Sequence, residues 1–114
     1  MSSKNERLRL ADILDQIAKI EGYVGDLDER SYIENVMIVD ATERCLERLI
    51  EAATKIGEAR IAEIAPELPF AQLRGLGNRL RHAYDTIEAG RTFHIVRQGL
   101  PYLKAAAQAA LETE

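Results

Sequence analysis

Apolar residues recur every three or four positions along most of the chain, which is the spacing of one face of an α-helix. The first stripe follows Ser3-Lys4-Asn5-Glu6, a capping-box pattern that satisfies backbone amides at a helix start. Its members are Leu10, Ile13, Leu14, Ile17, Ile20 and Val24. The pattern predicts a first helix, after which Gly22 and Gly25 loosen the chain.

A second, longer stripe predicts one continuous helix that ends past Gly57. Asp28 or Ser31 can cap its start, because short polar side chains accept hydrogen bonds from the first amides of a helix. Its apolar positions include Ile33, Met37, Ala41, Cys45, Leu49 and Ile56. Pro66 and Pro69 then make a loop, since proline lacks the amide donor and clashes with the preceding turn.

Two further helices are predicted, from about Phe70 to Tyr84 and from about Phe93 to Ala110. The polar stretch DTIEAGR forms the loop between them, and Pro101 is expected to kink the last helix. No segment shows the sustained two-residue alternation of a β-strand. We therefore predict an all-α fold, an antiparallel four-helix bundle in which residues 1–114 form a single domain.

Charge and composition narrow the classes of function. A net charge of −4 argues against a general nucleic-acid coat protein, so any contact with RNA must be local. The single Cys45 is expected to be a buried thiol, and with His82 and His94 it completes no metal-ligand set, so neither a metal nor another cofactor is predicted. The first residues do not resemble a secretory signal and no apolar run approaches membrane-spanning length, so we expect a cytoplasmic protein with no membrane partner.

The stretch LRGLGNRLRHAYDTI, residues 73–87, concentrates cations and two glycines on one helix. Wound at 3.6 residues per turn, it places apolar residues on one side and polar residues on the other. The apolar side carries Leu73, Leu76, Leu80, Ala83, Tyr84 and Ile87, and the polar side Gly75, Asn78, Arg79, His82 and Asp85, flanked by Arg74 and Arg81. The residues alone leave open whether this face is merely solvated or binds a phosphate, with the glycines admitting another backbone or a ligand.

The longer stretch PFAQLRGLGNRLRHAYDTI resembles the HepT-like ribonuclease toxins of the HEPN superfamily. Those sequences place a Pro-aromatic pair before a glycine, an Arg-Asn dipeptide, an aliphatic residue and a His-x-Tyr. The matching positions here are Pro69-Phe70, Gly75, Asn78, Leu80, His82 and Tyr84. The stretches DATERCLERLIEA and FHIVRQGLPYL are also similar to the second and last helices of the family.

The resemblance implies the toxin component of a toxin-antitoxin pair, a metal-independent endoribonuclease acting at the cleft of a homodimer. His82 would be the general acid or base, assisted by Asn78, on an RNA substrate. A minimal nucleotidyltransferase, the antitoxin partner, would silence the toxin by adenylylation of Tyr84. Each of these roles comes from the resemblance.

Gly77 is the main departure from that pattern, because it stands where the family has its catalytic arginine. Arg79 shares the face of His82 and is the candidate substitute, while Arg74 and Arg81 are candidate RNA phosphate contacts. The alternative is a catalytically inactive HEPN subunit that binds nucleotide or RNA in a nucleotidyltransferase complex.

Overall fold

The computed structural model describes residues 4–82 and 88–113, and all the regular structure in these ranges is helical. The helices are α1 (Lys4–Val24), α2 (Glu29–Glu34), α3 (Val36–Ile56), α4 (Glu58–Ile64), α5 (Phe70–His82), α6 (Glu88–His94) and α7 (Leu100–Glu112). A π-helical turn, Ile95–Gly99, joins α6 to α7. The predicted all-α fold is confirmed.

The long helices pack side by side in the order α7, α1, α3, α5. Arg7 at the start of α1 donates to the carbonyl of Leu111 at the end of α7 (2.7 Å), so these two helices are antiparallel. Arg60, just beyond α3, reaches Glu6 near the start of α1, so α1 and α3 are antiparallel as well. The core between them contains Ile13, Ile17, Ile20, Leu46, Leu49 and Leu103, each less than 3 % exposed.

The predicted second helix is divided at Asn35, so the prediction of one continuous helix was wrong there. Asp28 caps α2 by accepting from the amide of Ser31 (2.8 Å), which excludes Ser31 as the cap. Asn35 has extended dihedral angles (φ −101°, ψ 90°) and caps α3 by accepting from the amide of Ile38 (3.1 Å). A short polar side chain that can cap a helix thus interrupts the apolar stripe.

Gly57 ends α3, so the predicted extension of that helix past Gly57 was also wrong. Its φ of +104° is a conformation that side-chain-bearing residues rarely adopt. The chain then forms the short α4, in which Arg60 makes bidentate hydrogen bonds to Glu6 (2.8 and 3.2 Å). These bonds raise the pKa of the Arg60 guanidinium and attach α4 to α1.

The predicted loop DTIEAGR was wrong in its second half, because residues 88–91 belong to α6. Further along, the chain leaves α-helical geometry just before Pro101, where the irregularity was predicted. The amide of Leu100 donates to the carbonyl of Ile95, five residues back, as in a π-helix. Pro101 has no amide hydrogen to donate to the carbonyl four residues earlier, so the α-helical hydrogen bonds of α6 cannot continue unbroken into α7. Pro101 lies in the first turn of α7, where a proline is tolerated.

Candidate nucleic-acid interface

Helix α5 carries the candidate site at its C-terminal end. Phe70, Leu73 and Leu76 are buried on the side that packs into the bundle. The opposite surface of the last two described turns exposes Asn78, Arg79, Arg81 and His82.

Two of these polar side chains hold each other in place. Arg81 donates through Nη2 to Oδ1 of Asn78, three residues earlier on the helix. The Arg79 guanidinium lies back along the helix, with Nη1 3.8 Å from the position that a Cβ on Gly75 would occupy. This distance is an ordinary van der Waals contact, and Asn78, Arg79, Arg81 and His82 form one exposed cationic surface.

Arg74 is positioned apart from this surface. Its Nη1 lies 3.4 Å from Oε1 of Glu58, and its guanidinium carbon is 5.6 Å from the centroid of the Phe70 ring. His82 is eight positions further along the chain, about 12 Å along the helix axis. The structure thus brings four of the predicted residues together and directs Arg74 toward α4.

Gly77 faces the bundle core, which corrects the expectation that both glycines admit another backbone or a ligand on the polar face. A Cβ at this position would lie 3.0 Å from Cγ2 of Ile50 on α3, closer than side chains normally approach. Glycine here allows α5 to pack tightly against α3. The sequence contained the signal, because Gly77 is four residues after Leu73 and three before Leu80 and so shares their apolar side.

Tyr84, predicted as the adenylylation site, lies outside the described residues. The second histidine, His94, is on α6, where its Nε2 is 3.1 Å from Oε1 of Glu29. Within residues 4–82 and 88–113, no group of three or more His, Cys, Asp or Glu side chains has an arrangement that could hold a metal ion. Cys45 is buried as predicted, and that burial raises the pKa of its thiol.

No helix in the described part of the chain is both long enough and apolar enough to cross a bilayer.

A family model and three individual proteins that are similar in sequence to this chain all have names that refer to ribonucleases. The sequence model of the family described as "Ribonuclease HepT-like" matches residues 13–110. Three proteins of Methanocaldococcus jannaschii, each with a name that begins "Putative RNase", are 31%, 29% and 32% identical to the chain over 104 residues. Each alignment covers 91% of this chain, and 89%, 85% and 94% of the respective relative. No solved structure matches.

Proposed function

Because this chain belongs to the HepT-like ribonuclease family, we propose that it is an endoribonuclease that cuts RNA with the side chains at the end of α5. The observation that carries the proposal is the exposed surface on which Asn78, Arg79, Arg81 and His82 stand together. The names of the three relatives agree with this activity. The acidic net charge of the whole chain is compatible with it, because the cations are concentrated in one place.

The proposed reaction needs only groups that the RNA and these side chains supply. The 2′-oxygen of the ribose attacks the adjacent phosphorus, the bond from phosphorus to the 5′-oxygen breaks, and a 2′,3′-cyclic phosphate and a free 5′-hydroxyl result. His82 takes the proton of the 2′-hydroxyl or donates one to the leaving oxygen. Arg79 stabilises the charge on the phosphate, and Asn78 with Arg81 orients it.

We propose a homodimer because the α5 surface of one copy supplies one histidine, His82. In-line displacement at phosphorus places the attacking and leaving oxygens on opposite sides, so a base and an acid are needed in two positions. A two-fold axis beside the end of α5 brings a second His82 to the same cleft. It also doubles the local density of Arg79 and Arg81, which favours an anionic strand.

We propose that this activity is regulated by modification of Tyr84. It is two residues after His82, and AMP attached there by a nucleotidyltransferase antitoxin would add bulk and negative charge beside the catalytic histidine. The test is the intact mass of the protein after co-expression with the nucleotidyltransferase. We expect an AMP adduct that disappears in Tyr84→Phe and persists in Tyr23→Phe, a control at an exposed tyrosine on α1. An adduct retained in Tyr84→Phe would contradict this site.

The activity itself is tested with purified protein and a labelled single-stranded RNA in the presence of a chelator. We expect His82→Ala to lower kcat by about 100-fold or more, because loss of a general acid or base has that effect. The melting temperature should stay unchanged, since His82 is exposed. Gln72→Ala, at another exposed position of α5, is the matched control and should cut RNA at the wild-type rate. Equal rates in the two variants would refute the assignment of His82.

A second candidate function is favoured by one observation at Gly77. This position corresponds to the motif arginine, and a Cβ here would lie 3.0 Å from Cγ2 of Ile50, so an arginine would have to displace α5 from α3. A subunit without that arginine would bind RNA or nucleotide but would not cut RNA. Wild-type protein that binds single-stranded RNA and releases no 5′-hydroxyl product would establish this alternative.

A further inference from the structure

A shallow depression of about 300 Å³ lies on α6 and the π-helical turn that follows it. Its lining consists of Arg91, His94, Ile95, Gln98 and Gly99. The three polar side chains are a guanidinium, an imidazole and an amide. The guanidinium and the amide can each donate a hydrogen bond to a phosphate oxygen, while Nε2 of the imidazole lies against the Glu29 carboxylate. Its chemistry therefore suits an anion, and it lies on a different helix from the candidate catalytic residues.

Helical spacing explains how these side chains meet. Arg91 and His94 are three residues apart on α6, which places them on the same face. Gln98 is four residues after His94, inside the turn closed by the bond from the Leu100 amide to the Ile95 carbonyl. π-helical turns inside longer helices occur frequently at functional sites. Gln98 thus lies beside the two basic side chains around one depression.

The opposite side of the same segment is anchored to the rest of the protein. The Tyr32 and Thr92 hydroxyls are 2.9 Å apart in a buried hydrogen bond between α2 and α6. The Phe93 ring packs 5.4 Å from that of Tyr32, measured between centroids. Arg97 donates to the carbonyls of Gly25 and Leu27 (2.8 and 2.6 Å) in the segment after α1. The depression is therefore on a fixed surface, and a ligand would not have to order it first.

The position of α6 along the chain connects the depression to the candidate site. Five residues separate His82 from Glu88, the first residue of α6. A connection of this length keeps the two helix ends within about 20 Å of each other. A strand several nucleotides long that is bound at the end of α5 can therefore extend to α6.

We propose that Arg91, His94 and Gln98 form a phosphate subsite for the RNA strand beside the point of cleavage. Arg91 supplies the charge and Gln98 a neutral donor, while His94, with Nε2 3.1 Å from Oε1 of Glu29, forms the wall between them. The subsite rests on the proposed function of α5, since both would bind the same RNA. Because it contacts the backbone, it should act without regard to base sequence.

The test measures binding of a 2′-O-methyl RNA oligonucleotide, which lacks the attacking hydroxyl and so reports binding separately from cleavage. We expect Arg91→Ala to weaken binding about fivefold at low salt, and the slope of log affinity against log salt to shrink by about 0.7, as for one lost phosphate contact on a single strand. Gln98→Ala should weaken binding and leave the slope unchanged. Arg9→Ala is the matched control, because Arg9 lies at the opposite end of α1 from Gly25 and pairs with Asp12. It should bind as the wild type does.

The outcomes separate the subsite from the proposed function. If Arg91→Ala binds as tightly as the wild type while Arg79→Ala is impaired, the subsite is refuted and the function of α5 stands. If the wild type does not cut RNA but binds the oligonucleotide in a manner that depends on Arg91, cleavage is refuted and the subsite stands. Absence of binding by the wild type would overturn both.

Discussion

Gly77→Ala adds one methyl group at the contact between α5 and α3, and it tests why this position inside a helix is a glycine. The added methyl carbon would lie 3.0 Å from Cγ2, 3.6 Å from Cδ1 and 3.7 Å from Cβ of Ile50. Ile50 is 4% exposed and has a branched Cβ, which restricts it to one main rotamer in a helix. The isoleucine therefore cannot turn away, and the two helices have to separate slightly.

Two opposing effects set the magnitude. Replacing a helical glycine with alanine stabilises a helix by about 1 kcal/mol. Overfilling a packed core costs about 1–3 kcal/mol. We expect a net loss of about 1 kcal/mol in the free energy of unfolding for Gly77→Ala, or roughly 4 °C in melting temperature.

Gly75→Ala is the matched control on the same helix. A Cβ there meets only Nη1 of Arg79, at 3.8 Å, which is ordinary contact with the end of a flexible side chain. This substitution should therefore gain about 0.5–1 kcal/mol from helix propensity. Urea unfolding followed by circular dichroism measures both variants.

A double-mutant cycle locates the cause. Leucine has no methyl group on Cβ, so Ile50→Leu removes the contacting Cγ2 and retains the volume. In that background Gly77→Ala should become neutral or stabilising, a coupling of about 1 kcal/mol or more. If Gly77→Ala stabilises the wild type as much as Gly75→Ala does, the close contact with Ile50 is not what requires glycine.

Three further substitutions test local features of the fold. Asn35→Ala should lower the free energy of unfolding by about 1 kcal/mol through loss of the α3 cap, whereas Asn35→Asp should retain it, as urea unfolding will measure. Gly57→Ala should cost about 1–3 kcal/mol because its φ is +104°, while Gly22→Ala, with open space around it, should not destabilise in the same assay. Burial raises the pKa of Tyr32, so the folded state holds the phenol proton more tightly than the unfolded state does. The free energy of unfolding should therefore fall as pH rises above about 10. Melting curves across this range should show a weaker fall in Tyr32→Phe.

Much of the helical content was predictable from periodicity, because apolar spacing of three and four reports which residues face a core. The predicted first helix matches α1, and the loop at Pro66 and Pro69 separates α4 from α5. The breaks at Asn35 and Gly57 were missed for a common reason. Each lies within a stripe whose apolar spacing continues, so the hydrophobic pattern does not mark the change in backbone direction.

The sequence was sufficient to identify the cationic stretch, the family resemblance and the residues Asn78, Arg79, Arg81 and His82, because those depend on residue type and spacing within one helix. The role of Gly77 depended on packing, since its neighbour Ile50 is 27 residues away in the chain and on another helix. Packing also decided that the side of α6 with Arg91 and His94 is exposed, because a buried hydrogen bond between Tyr32 and Thr92 anchors the other side on α2. Spacing along a helix is a local property, whereas the distance between helices and the side that each exposes are set by how the whole chain packs.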